Sequence, residues 1–164
     1  MGKIKNSILL GIVFYLTSCA DNSIVKQHVV DFSGREIWPK DSVISVDFKP
    51  ETNIDYDLAF LIRNSNAYPF SNIFLIASIE NTKHKVVDTL EYEMANEKGE
   101  WLGTGFGDIK ESKLIYKKNY RFPDSLPYTI TLQQAVRRTG NVKGEEKLKG
   151  IVSVGIVIEK SKTK

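Results

Sequence analysis

Short runs rich in Val, Ile, Phe, Tyr and Thr recur along this chain, each cut off by Pro, Gly, Asn or Asp, and that pattern leaves few options for the fold. β-branched and aromatic side chains fit a pleated surface, whereas the punctuating residues favour turns. The runs predict strands at 29–32, 43–48, 56–64, 72–80, 86–94, 113–116, 128–134 and 151–159. No segment carries the 3.6-residue period of an amphipathic helix. About eight short strands predict a single all-β domain, an antiparallel β-sandwich of the immunoglobulin-like or jelly-roll-like kind.

Alternation assigns the faces. Ile44, Val46 and Phe48 share one face opposite Ser45 and Asp47, and in the last run Val152, Val154, Ile156 and Ile158 oppose Ser153 and Glu159. Both read as half-buried strands. Residues 58–62 and 73–77 are apolar at every position and read as central strands covered on both sides. Tyr68, Pro69 and Phe70 turn the chain between them. The charged, glycine-containing stretch 137–149 is long enough to be a mobile loop or a short helix.

The N-terminus is of a different kind. Lys3 and Lys5 precede an apolar run over 8–16, which leads into Leu16-Thr17-Ser18-Cys19. A charged start, a short apolar stretch and small residues before a cut make a secretory signal, and the run falls short of the roughly 20 residues a bilayer core requires. A cysteine directly after Leu-Thr-Ser resembles a lipobox, in which the thiol is diacylated and becomes the first residue of the mature protein. Cys19 is the sole cysteine of the chain. The expected organisation is a signal peptide over 1–18, lipidated Cys19 with a flexible tether to 27, and a β-sandwich domain over 28–164.

Loss of residues 1–18 leaves 146 of the 164, enough for one domain with a core that needs no disulfide, metal or other cofactor. It removes two lysines and no acid, so the formal charge falls from +3 to +1. A nearly neutral domain with no stripe of Lys and Arg interleaved with aromatics excludes nucleic acid as the expected partner.

The most unusual segment is Trp101-Leu102-Gly103-Thr104-Gly105-Phe106-Gly107. Alternate glycines permit positive φ or a close approach of backbone to another surface. A phosphate cradle lacks its lysine and hydroxyl and a following helix. Two readings stand. Trp101, Gly103, Gly105 and Phe106 form a loop at one sandwich end that contacts a partner protein or a sugar, or Trp101 and Phe106 plug the open end of the core. Glu91 and Glu93 lie at i and i+2 on one strand face, with Asp88 opposite; their separation of roughly 7 Å is near that of glycosidase acids, but a solvated strand face explains it. No loop spaces these acids and Asp108 as a calcium site does. His28 and His84 have no second ligand at metal spacing, and no serine sits in a Gly-x-Ser-x-Gly elbow. The expectation is a protein that is not an enzyme.

Over nearly its whole length the chain resembles the GldH gliding-motility lipoprotein family. The resemblance rests on the Leu16-Thr17-Ser18-Cys19 lipobox, on Tyr68-Pro69-Phe70-Ser71-Asn72 before an apolar strand, on Asp88-Thr89-Leu90-Glu91-Tyr92-Glu93-Met94, and above all on Gly99 to Asp108, followed by the closing strand 150–159. It implies a cell-envelope component of the gliding machinery linked to type IX protein secretion. Such a protein is lipid-anchored (palmitate or a related acyl chain) at Cys19, faces the periplasm from the outer or inner membrane, and works by docking other envelope proteins. The family supplies no catalytic motif, so Cys19 alone acquires a role by resemblance. The alternative is a surface glycan-binding lipoprotein using Trp38, Trp101 and tyrosines, and a glycan hydrolase is a third reading.

Overall fold

The computed structural model of the protein describes residues 23–138, 140 and 143–162. The expected signal peptide and Cys19 lie outside the described residues. The described residues form ten strands: β1 (Ile24–Asp31), β2 (Ile37–Pro39), β3 (Ile44–Phe48), β4 (Tyr56–Asn64), β5 (Asn72–Glu80), β6 (Lys85–Glu93), β7 (Lys110–Tyr120), β8 (Tyr128–Gln134), β9 (Lys147–Lys149) and β10 (Ile151–Lys160). No helix occurs among the described residues.

The eight longer strands coincide with the predicted runs, and the differences have local causes. β7 extends well beyond 113–116, because only its middle alternates cleanly, with Ser112, Leu114 and Tyr116 buried, while its ends are rich in Lys and Glu. β1 begins at Ile24, so residues 24–27, expected in the tether, belong to the domain. Their side chains are all exposed, and what holds them is the ladder to β10, which leaves no apolar alternation to read. Within 137–149, Lys147–Lys149 forms β9 and pairs with β2, in place of an uninterrupted loop or a helix. Three-residue strands are too short for periodicity to register.

Two four-stranded sheets, in the orders β1-β10-β4-β7 and β3-β8-β5-β6, pack face to face, and every pairing is antiparallel. Counted along the chain, the eight long strands pair first with eighth, second with seventh, third with sixth and fourth with fifth. That is the jelly-roll arrangement, a long antiparallel ribbon folded over on itself. It decides between the two kinds of sandwich expected.

Between the sheets lies one core built from Phe60, Ile62, Leu75, Ile130, Leu132, Val154 and Ile156, with their neighbours. The inward face of β3 is the one that alternation assigned; on β10 Val154, Ile156 and Ile158 face the core as assigned, but a register shift between Ile151 and Ser153 puts Ile151 in the core in place of Val152. Two expectations about coverage are reversed. β10 is buried on both faces over Ile151 to Ile158, because it is an interior strand on whose outer side Val29 and Leu61 close over Gly155. β5 is not covered outside: Phe74 is half-buried and Ile76 is 37% exposed.

The sandwich has two ends of distinct make-up. At the end where β1 starts and β10 finishes, Phe48, Tyr56, Phe122 and Tyr128 form an aromatic cluster with ring centroids 4.8 to 5.8 Å apart. At the opposite end Trp38 is fully buried beside Leu148, its indole N–H donating to the Ser42 carbonyl at 2.8 Å and its ring 6.5 Å from that of Phe32. The small β2-β9 sheet closes the core there.

Candidate functional site

The β6-β7 connection carries the Trp101 to Gly107 segment and lies at the end that Trp38 closes. It is a hydrogen-bonded hairpin: Asn96 Oδ1 accepts the amides of Lys98 and Glu100, Leu102 N–H donates to the Met94 carbonyl, and Thr104 and Glu111 exchange backbone hydrogen bonds. Asn66, in the β4-β5 turn, fastens it twice. Its side-chain oxygen accepts the Trp101 indole N–H at 2.9 Å, and its amide donates to Asp108 Oδ1 at 2.9 Å. The Trp101 ring then lies against buried Tyr68, with centroids 6.1 Å apart.

Close approach explains two of the glycines. A Cβ on Gly103 would stand 2.8 Å from both the Glu111 carbonyl oxygen and Ser112 Oγ, and one on Gly105, at φ +150, would run into the Ile109 carbonyl. The loop backbone therefore lies directly on the start of β7, and Lys110 Nζ donates to the Gly105 carbonyl at 2.9 Å. Beyond that support the chain turns outward. Phe106, between Gly105 and Gly107, is fully exposed (102% of its reference area), and Leu102 is 53% exposed. Among the large exposed apolar residues described, Phe106 is the one aromatic. Arg63, Thr104, Ile109 and Glu111 line an open depression of about 470 Å³ beside it, with Arg63 Nε 3.8 Å from Glu111 Oε2.

The four residues singled out in this loop thus have different positions. Trp101 is half-buried and faces the core, Gly103 and Gly105 lie on β7, and Phe106 projects into solvent. Composition alone could not separate the two aromatics, because the groups that hold Trp101 come from the turn after β4. Trp38, a candidate sugar-binding ring in the sequence, is buried.

The acids are distributed as alternation predicts. Glu91 and Glu93 are exposed on the outer face of β6, where Asn72 Nδ2 donates to Glu91 at 2.6 Å, and they border an open depression with Ser71 and Asn96. Asp88 points the other way and receives hydrogen bonds from Tyr116 Oη at 2.9 Å and Lys117 Nζ at 2.8 Å. Asp108 is held by Asn66, His28 is exposed on β1, and His84 sits in the β5-β6 turn with Nε2 3.5 Å from Asp124. Among the described residues no group of three His, Cys, Asp or Glu is placed to hold a metal ion.

Fold and site together define a jelly-roll domain that holds an aromatic loop tip out from one end of the sandwich. The chain belongs to the GldH lipoprotein family, whose sequence model matches residues 25–158, from β1 to β10. It is similar to the gliding motility lipoprotein GldH homolog of Christiangramia forsetii, 46% identical over 155 residues, covering 91% of this chain and 94% of the relative. The gliding motility lipoprotein GldH of Flavobacterium johnsoniae is 42% identical over 160 residues, covering 96% and 98%. Among solved structures, the infectious bursal disease virus VP2 subviral particle matches at a TM-score of 0.34 and 12% identity, covering 84% of this chain and 38% of that one.

Proposed function

We propose that this protein is a lipid-anchored component of a bacterial gliding-motility machinery linked to type IX secretion, and that it acts by docking other envelope proteins and not by catalysis. The names of its relatives supply the gliding role. The observation that carries the docking reading is Phe106, fully exposed on a loop whose base is fixed by Asn66 and β7. An exposed aromatic on a rigid support is the kind of group that dominates protein–protein contacts, because it brings large apolar area at little entropic cost.

The lipid on Cys19 gives that tip a direction. Four residues lie between Cys19 and Ile24, five chain steps with a reach of at most about 17 Å, so the β1 start faces the membrane. Phe106 is at the other end, a strand length of roughly 30 Å away. The domain therefore stands off a cell-envelope membrane and offers its loop to partners in the periplasm.

The anchor is tested by Cys19→Ala in cells fed a fatty-acid analogue: the variant takes up no label, and equal labelling of both proteins overturns the anchor. Docking is tested with a photoreactive phenylalanine analogue in living cells. At position 106 it forms an adduct with another envelope protein, and at Thr52, in an exposed loop at the opposite end, it forms none. No adduct at 106, or the same adduct from both positions, contradicts the reading.

A further inference from the structure

The outer face of the β3-β8-β5-β6 sheet lies on the opposite side of the sandwich from the depression beside Phe106. Two depressions of about 440 and 210 Å³ adjoin there, and Ile76, Ala135 and Arg137 line both, so they form one groove. Its floor is apolar. Ile76 is exposed in the middle of β5, with Phe74 and Ala135 beside it. Such a group on an open strand face loses stabilisation that burial would supply, which makes it a contact surface when something covers it.

The rim is cationic, and its three cations are not equivalent. Arg138 Nε donates to Glu145 Oε1 at 2.6 Å, and the guanidinium lies 5.6 Å from the centre of the Phe70 ring. Lys40 Nζ is 3.7 Å from Glu146. Arg137 has neither an acidic nor a hydrogen-bonding partner among the described residues, and it stands where the two depressions meet. Gln133 donates its amide to the Lys40 carbonyl at 2.7 Å, which leaves its side-chain oxygen free to accept. Glu91, opposite Phe74 on the neighbouring strand, accepts a hydrogen bond from Asn72.

We infer that this groove is a second docking site, and that it binds an extended acidic peptide segment in which a carboxylate lies within two residues of an aliphatic or aromatic side chain. The carboxylate pairs with Arg137, whose planar fork suits two parallel hydrogen bonds, and the apolar side chain covers Ile76 and Phe74. Thr89 and Gln133 provide polar groups for the peptide backbone. A basic segment leaves Arg137 unpaired, since the rim acids Glu145 and Glu146 already face Arg138 and Lys40. A sugar finds no fully exposed ring to stack on, since Phe74 is half-buried and Ile76 and Ala135 are aliphatic. The site goes beyond the Phe106 contact and does not require it, since the two lie on opposite sides of the sandwich.

The test uses the mature lipoprotein in detergent and two fluorescein-labelled peptides, Ser-Gly-Leu-Asp-Ile-Glu-Gly-Ser and its counterpart with Asn and Gln in place of the acids. The acidic peptide binds at least tenfold more tightly, Arg137→Glu reduces its affinity at least tenfold, and Arg137→Lys loses less. Ile76→Asp also weakens it, whereas Val87→Asp, exposed on the same sheet outside the groove, leaves affinity unchanged. Arg137 is exposed, so Arg137→Glu keeps the parent melting temperature and a loss of binding is not a loss of fold. No binding, equal binding of the two peptides, an unaffected Arg137→Glu variant, or competition by phosphatidylglycerol vesicles equally against parent and variant overturns the inference. The Phe106 crosslink in an Arg137→Glu background stays intact in every one of these cases if the loop-tip reading holds, so the two can fail separately.

Discussion

Asp88 points inward from β6, and both groups that bind it come from β7, so one carboxylate ties together the edges of two sheets. The hydrogen bond from Lys117 holds its carboxyl below the usual range, burial works against this, and the Tyr116 hydroxyl adds to the lowering. Burial, with the hydrogen bond to Asp88, pushes the Tyr116 phenol upward, so it stays protonated and remains a donor. The folded state therefore favours ionised Asp88. A depressed carboxylate contributes stability that is complete above its unfolded value of about 4 and is lost as the pH falls below it. Melting followed from pH 7 to pH 2 checks this. Asp88→Asn lowers the melting temperature near neutrality and narrows its gap to the parent in acid. Some acid sensitivity survives: the Ser33 hydrogen bonds hold Asp31 low, and at Asp57 and Asp124 burial pushes the carboxyl up but hydrogen bonds and nearby cations together lower it. A gap that is the same at pH 7 and pH 2 contradicts the assigned link.

Strands with a sustained apolar or alternating run were legible: β3, β4, β5, β8 and β10 lie within a residue or so of the predicted bounds. What escaped was held by other means. The first residues of β1 exist because β10 supplies a ladder, and β2 and β9 exist because each supplies the other. None of these buries enough alternating apolar surface to mark the sequence. The same small sheet brings Trp38 and Leu148 over the end of the core, with Tyr68 and Val136. The closing residue at that end is therefore Trp38, from a three-residue strand with no pattern, and the distinctive Trp101 only packs on its margin. Coverage was the other gap. Five consecutive apolar residues in β5 read as a doubly covered strand, yet Ile76 is left 37% exposed, and the groove was invisible for that reason.

A jelly roll pairs the first long strand with the last, and among the described residues β5 and β6 are the only hydrogen-bonded neighbours that also follow one another in the chain. The sequence supports two stacked sheets, but many strand orders bury the same alternating faces, so the order had to come from three dimensions. The arrangement sets the geometry on which the functional account depends. Because the ribbon folds over, the start of β1 and the end of β10 share one end, and the β6-β7 loop and the β2-β9 sheet share the other. With the lipid proposed on Cys19, this arrangement points the loop away from the membrane. The central claim is that Phe106 acts as a contact and not as part of the core. The most direct measurement pairs colony spreading with thermal melting for Phe106→Ser. A fully exposed side chain outside the hydrogen-bonded base of its loop predicts a melting temperature within a degree or two of the parent, together with loss of spreading at normal protein abundance. Normal spreading in cells carrying Phe106→Ser, or a fall in melting temperature of the size that core truncations produce, contradicts the account.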